Sequence, residues 1–335
     1  MLVETICLNA ERNVTLTAYI PAEGSIGLYE SGRPAVLILP GGAYRICSDE
    51  EGEPVALAYL RAGYCAFVLR YSVREHYRWP RPLEDYEQAM EIIRNETERW
   101  KVLPGKIAVA GFSAGGHLAS AAATVSANRP DAVIMGYACV KQDTLDTFGD
   151  IPETLSRVDK TVPPTFLFAA CDDKAVPISN TTDWAAALAK CGVPFECHIY
   201  YCGGHGFSVA DASVSGDLSA LCGRVPHWVE DSVGFLADVF GTPEREPLKV
   251  NFSKRADPDR DAVFLGLDNT IGHLMKNGEA REILLRKFPR LGEDSPAVRA
   301  GYAFSLRRVA GASGWDGTLL EDLEKELSVV LNRRD

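Results

Sequence analysis

Apolar residues arrive along this chain in short unbroken runs with helix-periodic stretches between them. Ala35-Val-Leu-Ile-Leu39, Cys65-Ala-Phe-Val-Leu69, Ile107-Ala-Val-Ala110, Ala132-Val-Ile-Met135 and Thr165-Phe-Leu-Phe-Ala-Ala-Cys171 lack alternating polar positions. Such runs mark strands buried on both faces, the habit of a parallel sheet. Residues 3–8 and 14–20 read as two further short strands, followed by a glycine-rich turn near Gly24 to Gly32. Helical stretches separate the runs. One spans Pro54 to Arg61, and another places Tyr86, Ala89, Met90, Ile93 and Trp100 on one face of about four turns. Helices are expected after Ser113, across Trp184 to Lys190 and from His227 to Phe240, with a strand from Phe195 to Tyr201. Strands alternating with helices predict an α/β fold, a mostly parallel central sheet with helices on both faces.

The pattern changes after Gly241. Pro243, Pro247 and the charged stretch Lys254 to Asp261 read as a linker, and three or four short helices are expected beyond it. Ser295-Pro296 reads as an N-cap and first helical position, and Thr318-Leu-Leu-Glu321 as a capping box. Leu319, Leu323, Leu327, Val330 and Leu331 form one apolar stripe on the last helix. The expected division is therefore 1–242 for the α/β part and 243–335 for the linker and a small α-helical domain. Its apolar face must be covered by the larger part or by a partner, which makes this module the route to a homo-oligomer.

Composition narrows the function classes. The 335 residues are 46% hydrophobic and 24% charged, ordinary for a globular protein. A net charge of −11 offers no basic stripe for phosphates, so no nucleic acid is expected as a partner, and an anionic membrane surface would repel the chain. No run approaches the roughly 18 apolar residues of a membrane span. The first residues lack a basic stretch before their apolar run, so no secretory signal is visible and a cytoplasmic location is expected. Nine cysteines carry no zinc-type spacing, so no metal or other cofactor is expected. Cys65, Cys139, Cys171 and Cys197 sit in apolar runs and read as buried thiols.

The chemistry is carried by Gly111-Phe-Ser-Ala-Gly-Gly116, between an apolar run and the small-residue stretch Ala114 to Ala123. Strand, G-x-S-x-G and helix are the parts of a nucleophile elbow presenting the hydroxyl of Ser113. Such a serine needs a base, and the base an orienting acid, both supplied later in the chain from loops after later strands. His205, in Gly203-Gly-His-Gly-Phe207, follows the strand ending near Tyr201. The acid comes from the pair Asp172-Asp173, after the strand ending at Cys171. Asp85 reads as a helix-start acid, His117 as structural and His198 as a sheet-face residue. His76, His227 and His273 lack a triad context. The oxyanion needs preplaced N–H donors. Ala114, directly after the serine, is one candidate. Pro40-Gly41-Gly42-Ala43-Tyr44, the loop after the first long run, supplies Gly42 and Ala43.

With those residues in view, the chain resembles the acetylxylan-esterase-like α/β-hydrolases, a group that includes feruloyl-esterase-like relatives. The resemblance covers about residues 10–240. It rests on Leu39-Pro-Gly-Gly-Ala-Tyr44, the Trp79-Pro80 to Asp85 stretch, Gly111-Phe-Ser-Ala-Gly-Gly-His117, Val162-Pro-Pro-Thr-Phe166, Asp173-Lys-Ala-Val-Pro177 and His205-Gly-Phe207. It implies an α/β-hydrolase fold, a carboxylic ester hydrolase often acting on acetylated sugars, and Ser113, Asp173 and His205 as the triad. Asp173 is preferred to Asp172 because it holds the D-x-x-V-P position. Ala43 departs from the pattern, since relatives often carry a third glycine there.

The expected reaction is acyl transfer to water through a serine ester, on an acetylated xylo-oligosaccharide or similar small sugar ester. An arylformamidase shares the machinery and differs in the bond cleaved. A peptidase fits less well, because oligopeptidases on this fold usually carry a gating domain before the hydrolase and the first core strand here starts near residue 35. A non-catalytic hydrolase-fold binding protein typically lacks a triad member, and all three candidates are present. Tyr44, Tyr71 and Trp79 are the expected substrate contacts, with Tyr71 and Trp79 in an aromatic loop suited to sugar rings. The segment Lys141 to Thr161 is the expected lid element.

Overall fold

The continuous apolar runs all become strands of one eight-stranded sheet. In the computed structural model these are β1 (Leu2–Asn9), β2 (Val14–Ile20), β3 (Arg33–Leu39), β4 (Cys65–Arg70), β5 (Val102–Phe112), β6 (Ala132–Gly136), β7 (Thr165–Ala170) and β8 (Phe195–Tyr200). Their spatial order is β1-β2-β4-β3-β5-β6-β7-β8. β2 runs antiparallel to β1 and β4, and every pairing from β4 to β8 is parallel. The structure describes residues 1–22, 32–146, 151–215, 218–250 and 258–332. The chain divides into two compact units, Met1–Val250 and Asn251–Asp335.

Strand geometry explains why the runs are unbroken. Successive side chains point to opposite faces, and in this sheet both faces are covered. Ala35, Leu37 and Leu39 enter one core with Phe67, Leu69, Ile107 and Val109. Val36 and Ile38 enter the other with Ala66, Val68, Ala108 and Ala110. The first core takes its cover from the helices Arg81–Asn95, Ala114–Thr124 and Ser179–Cys191, the second from Glu53–Arg61 and Trp228–Phe240. The parallel strands end on one side, and the loops after β3, β5, β7 and β8 emerge there, where such sheets place their sites.

Several elements depart from the pattern. The amphipathic helix stops at Asn95, Glu96 leaves helical geometry, and Trp100 belongs to a separate turn, Thr97–Trp100. The break lets Trp100 go fully inside, its ring 5.0 Å from that of Phe67 and its Nε1–H donating to Glu4 at 2.6 Å. Cys171, expected inside, is exposed because β7 ends at Ala170; Cys197 is half-buried, and Cys65 and Cys139 are buried. All nine cysteines are free thiols. Apart from Gly32, the turn expected near Gly24 to Gly32 lies outside the described residues.

In the second unit, Leu265, Leu274, Leu284, Leu306, Leu323 and Leu327 form a separate core. Six short α-helices are described there rather than three or four. Residues 251–257 of the expected linker lie outside the described residues, and Pro258–Asp261 is a helical turn. Ser295 caps its helix as expected, accepting from Val298 N–H. The last helix, Gly317–Leu327, is capped by Asp316 rather than by Thr318, since Asp316 Oδ1 accepts from Thr318 N–H. That helix ends at Leu327, so Val330 is buried while Leu331 faces out.

Candidate active site

Ser113 sits between β5 and the helix Ala114–Thr124 with φ +52° and ψ −116°. Non-glycine residues rarely adopt that conformation, which costs roughly 1–3 kcal/mol and persists only where surroundings impose it. Here they do. Ser113 N–H donates to Gly136 O at 3.0 Å and its carbonyl accepts from His117 N–H at 3.0 Å. A Cβ on Gly111 would lie 2.3 Å from Gly115 O, and one on Gly115 would lie 2.0 Å from Leu39 O. The sharp turn therefore needs glycine on both sides of the serine.

The fold brings three distant side chains to this turn. His205 Nε2 lies 2.9 Å from Ser113 Oγ, and His205 Nδ1 lies 2.7 Å from Asp173 Oδ2. An ionised carboxylate only accepts, so Nδ1 carries the proton and Nε2 is free to accept from the serine hydroxyl. The Asp173 side chain is fully buried, and its other oxygen accepts from Ala175 N–H at 2.8 Å and Val176 N–H at 2.9 Å. Those bonds fix the carboxylate before it meets the imidazole. Asp172, the competing acid, points elsewhere: its Oδ1 accepts from Gly203 N–H and Gly204 N–H at 2.8 and 2.9 Å. Those two donors hold its carboxyl below the usual range. Its task in the structure is to pin the glycine loop that carries His205.

The loop after β3 lies against the elbow. Gly42 has φ +124°, and Ala43 and Tyr44 take φ +53° and +55°, so Ala43 holds a left-handed position without being glycine. The N–H groups of Gly42, Ala43 and Ala114 donate to no backbone acceptor among the described turns and loops. Below the serine, burial pushes the Cys139 thiol up to about 12, which leaves it neutral beside the hydroxyl.

The aromatic contacts expected for substrate are corrected in part. Tyr44 is 2% exposed and Tyr71 1% exposed, so neither ring offers a face to a sugar. The Tyr71 hydroxyl donates to Pro40 O, which ties the aromatic loop to the loop after β3. The Tyr44 hydroxyl bonds His117 Nδ1 at 2.7 Å. Trp79 is half-buried, its ring 5.4 Å from that of His117. His117 is structural, as expected. Its Nε2–H donates to Pro152 O at 2.8 Å, leaving Nδ1 to accept from Tyr44, and burial lowers its pKa to about 4. His198 pairs with Glu196 at 2.6 Å on the outer strand. His76 and His227 lie 3.7 and 3.5 Å from neighbouring glutamates, and His273 Nε2 is 2.8 Å from Asn332 Oδ1. None of these joins the site.

Asp85, expected as a helix-start acid, lies past the first turn of the helix Arg81–Asn95 and is a buried acceptor instead. It is 1% exposed and accepts from Ser72 N–H at 2.8 Å, Ser72 Oγ at 2.5 Å and Arg12 at 2.9 Å. In the segment expected as a lid, residues 147–150 lie outside the described residues. Its described flank is fastened to the helix after the serine, through Pro152 O on His117 and Thr154 Oγ1, 2.7 Å from Ser120 Oγ. Sequence reading passed over two side chains beside the triad, Glu51 and Tyr137. Glu51 sits in the acidic run Asp49-Glu50-Glu51, whose other members are exposed, and nothing in the pattern separates it from them.

Residues 19–147 match the BD-FAE family, and residues 150–222 match the prolyl oligopeptidase family. A solved α/β-hydrolase enzyme from a Medee basin deep-sea metagenome library, MGS-M1, is 40% identical with a TM-score of 0.66, over 71% of this chain and 97% of that one. The chain belongs to the α/β-hydrolases. Among its relatives are enzymes named for acetylated xylan and xylosides. An acetylxylan esterase of Xylanibacter ruminicola is 27% identical over 61% of this chain and 45% of its own length. The solved acetyl ester-xyloside bifunctional hydrolase of Caldicellulosiruptor lactoaceticus is 29% identical with a TM-score of 0.56, over 67% and 87%. The chain spans about half the length of the curated relatives it matches, or less.

Proposed function

We propose that this chain is a serine carboxylic ester hydrolase that deacetylates small acetylated sugars such as acetylated xylo-oligosaccharides. One observation carries the reading: Ser113 Oγ, His205 and Asp173 stand in line at 2.9 and 2.7 Å, with the serine on a strained elbow. In the first step Ser113 Oγ attacks the ester carbonyl while His205 Nε2 takes its proton. Asp173 holds the ring in the required tautomer and stabilises the imidazolium. The oxyanion of the tetrahedral intermediate lies against the N–H of Ala114 and those of Gly42 and Ala43. His205 then returns the proton to the departing sugar oxygen, leaving an acetyl ester on Ser113. Water, deprotonated by His205, attacks that ester, and acetate leaves with the serine restored.

The acetylated sugar is supported by the names of the acetylxylan esterase and the acetyl ester-xyloside hydrolase among the relatives. The test compares wild type with Ser113→Ala on 4-nitrophenyl acetate, then on acetylated xylobiose and N-formyl-kynurenine. The variant is expected to lose activity by roughly a thousandfold or more. Equal rates in the two proteins would remove Ser113 from the mechanism. Turnover of the formamide in preference to the acetyl ester would replace the substrate class.

A further inference from the structure

Beside the triad lies a second buried carboxylate, on a different loop and with its own partners. Glu51 is 5% exposed. Its Oε2 accepts from Gly41 N–H at 2.6 Å and its Oε1 from the Tyr137 hydroxyl at 2.7 Å. Both partners are donors, so the site is built for an acceptor, the ionised carboxylate. Burial leaves the carboxyl above its usual range, with the Tyr137 hydroxyl, Gly41 N–H and nearby His205 pulling against it.

Each partner leads to a different part of the machinery. Gly41 immediately precedes the Gly42 and Ala43 amides. A Cβ there would lie 2.7 Å from Phe112 O and 2.9 Å from Ser113 Cβ, so its backbone is wedged between Glu51 and the serine. Tyr137 leads to the histidine. Its ring stands edge-on to the His205 imidazole, centroids 5.0 Å apart, and its hydroxyl accepts from Ser208 N–H at 3.1 Å. Ser208 lies three residues past His205, and its own hydroxyl donates back to Glu50 O. Tyr137 holds φ +34°, a backbone angle that L residues rarely adopt, and its N–H donates to Phe168 O at 2.7 Å.

We propose that Glu51 is a positioning residue for the reaction, a single buried carboxylate that couples the oxyanion loop to the histidine loop through Gly41 N–H and the Tyr137 hydroxyl. This rests on the ester-hydrolase reading of the triad. Holding both loops on one anchor sets the distance between the oxyanion donors and the imidazole, and misplacement by 1 Å can cost about 10²-fold in rate. The electrostatic attraction between Glu51 and His205 also favours the imidazolium that forms as Ser113 attacks, adding to the stabilisation from Asp173.

The experiment uses the full chain and 4-nitrophenyl acetate, with four variants: Ser113→Ala, Glu51→Gln, Tyr137→Phe and the double variant. Glu51→Gln keeps the shape and an oxygen for Gly41 N–H but removes the charge and gives Tyr137 a donor in place of an acceptor. It is expected to lower kcat roughly 10- to 100-fold with KM within about twofold and an unchanged melting temperature. Tyr137→Phe is expected to lower kcat by a smaller factor, and the double variant to lose less than the product of the two. A kcat within about twofold of wild type in Glu51→Gln, with Ser113→Ala inactive, overturns this inference and leaves the functional reading standing. Activity retained in Ser113→Ala overturns both. A loss matched by an equal loss of folded protein, or confined to KM, assigns Glu51 a structural role and also overturns it. If Glu51→Gln does not fold, Tyr137→Phe decides alone, and an unchanged kcat there is the overturning result.

Discussion

Ser113 and His117 lie four residues apart on the same turn and do opposite jobs, and their surroundings show why. Ser113 is lifted on a strained backbone toward an imidazole that can take its proton. His117 points into the core and spends both ring nitrogens on Tyr44 and Pro152, with no exposure. The consequence is measurable. Its folded pKa, about 4, lies below the unfolded value near 6.5, so protons bind more tightly to the unfolded chain. The stability it supports is complete above about pH 6.5 and is lost progressively as the pH falls toward 4. The loss across that window is up to about 3 kcal/mol. His117→Gln keeps an acceptor for Tyr44 and a donor for Pro152 but cannot be charged. Melting temperatures from pH 7.5 to 4.5 should fall more steeply for wild type than for the variant, and parallel slopes would refute this assignment.

Between residues and molecule, each strand end hands one group to the site and each loop is fixed by a bond of its own. β5 delivers Ser113, β7 delivers Asp173, and the loop after β8 delivers His205, held by Asp172 through the amides of Gly203 and Gly204. The loop after β4 is anchored by Asp85, on the helix Arg81–Asn95, which binds Ser72 on one side and Arg12 of the β1–β2 hairpin on the other. One buried carboxylate thus ties the edge hairpin, the strand end and the helix together. Asp85→Ala leaves Arg12 and the Ser72 donors without it and should destabilise by about 3–5 kcal/mol. Urea unfolding measures this, and a midpoint within error of wild type would mean the anchor is dispensable.

For the chain as a whole, the two units have separate apolar cores. Leu265, Leu284, Leu323 and their neighbours form one; the two faces of the sheet form the others. Ser113, Asp173, His205, Glu51 and the loop Pro40 to Tyr44 all belong to Met1–Val250. A chain ending at Val250 is therefore expected to fold and to hydrolyse 4-nitrophenyl acetate with a kcat within about threefold of the full-length protein. Purified truncation product that is folded but inactive would place an essential part of the machinery in the helical unit.

Strand positions were readable because burial on two faces leaves an unbroken apolar run, and β3 to β7 announce themselves that way. The elbow was readable because its chemistry is local: a strand, two glycines whose Cβ atoms would collide with backbone, and a helix adjoin in the chain. His205 followed from its place after a strand. Whether Asp172 or Asp173 served it rested on resemblance, because two adjacent acids look alike until a fold points one inward and the other toward Gly203. Non-local contacts escaped altogether. Nothing in the order of residues said that the Tyr44 and Tyr71 rings would be buried, that Trp100 would break its helix to reach Phe67, or that Glu51 alone of its acidic run would turn inside. Those outcomes depend on which side chains from other elements arrive at the same place, and that is set when the sheet closes and its loops pack.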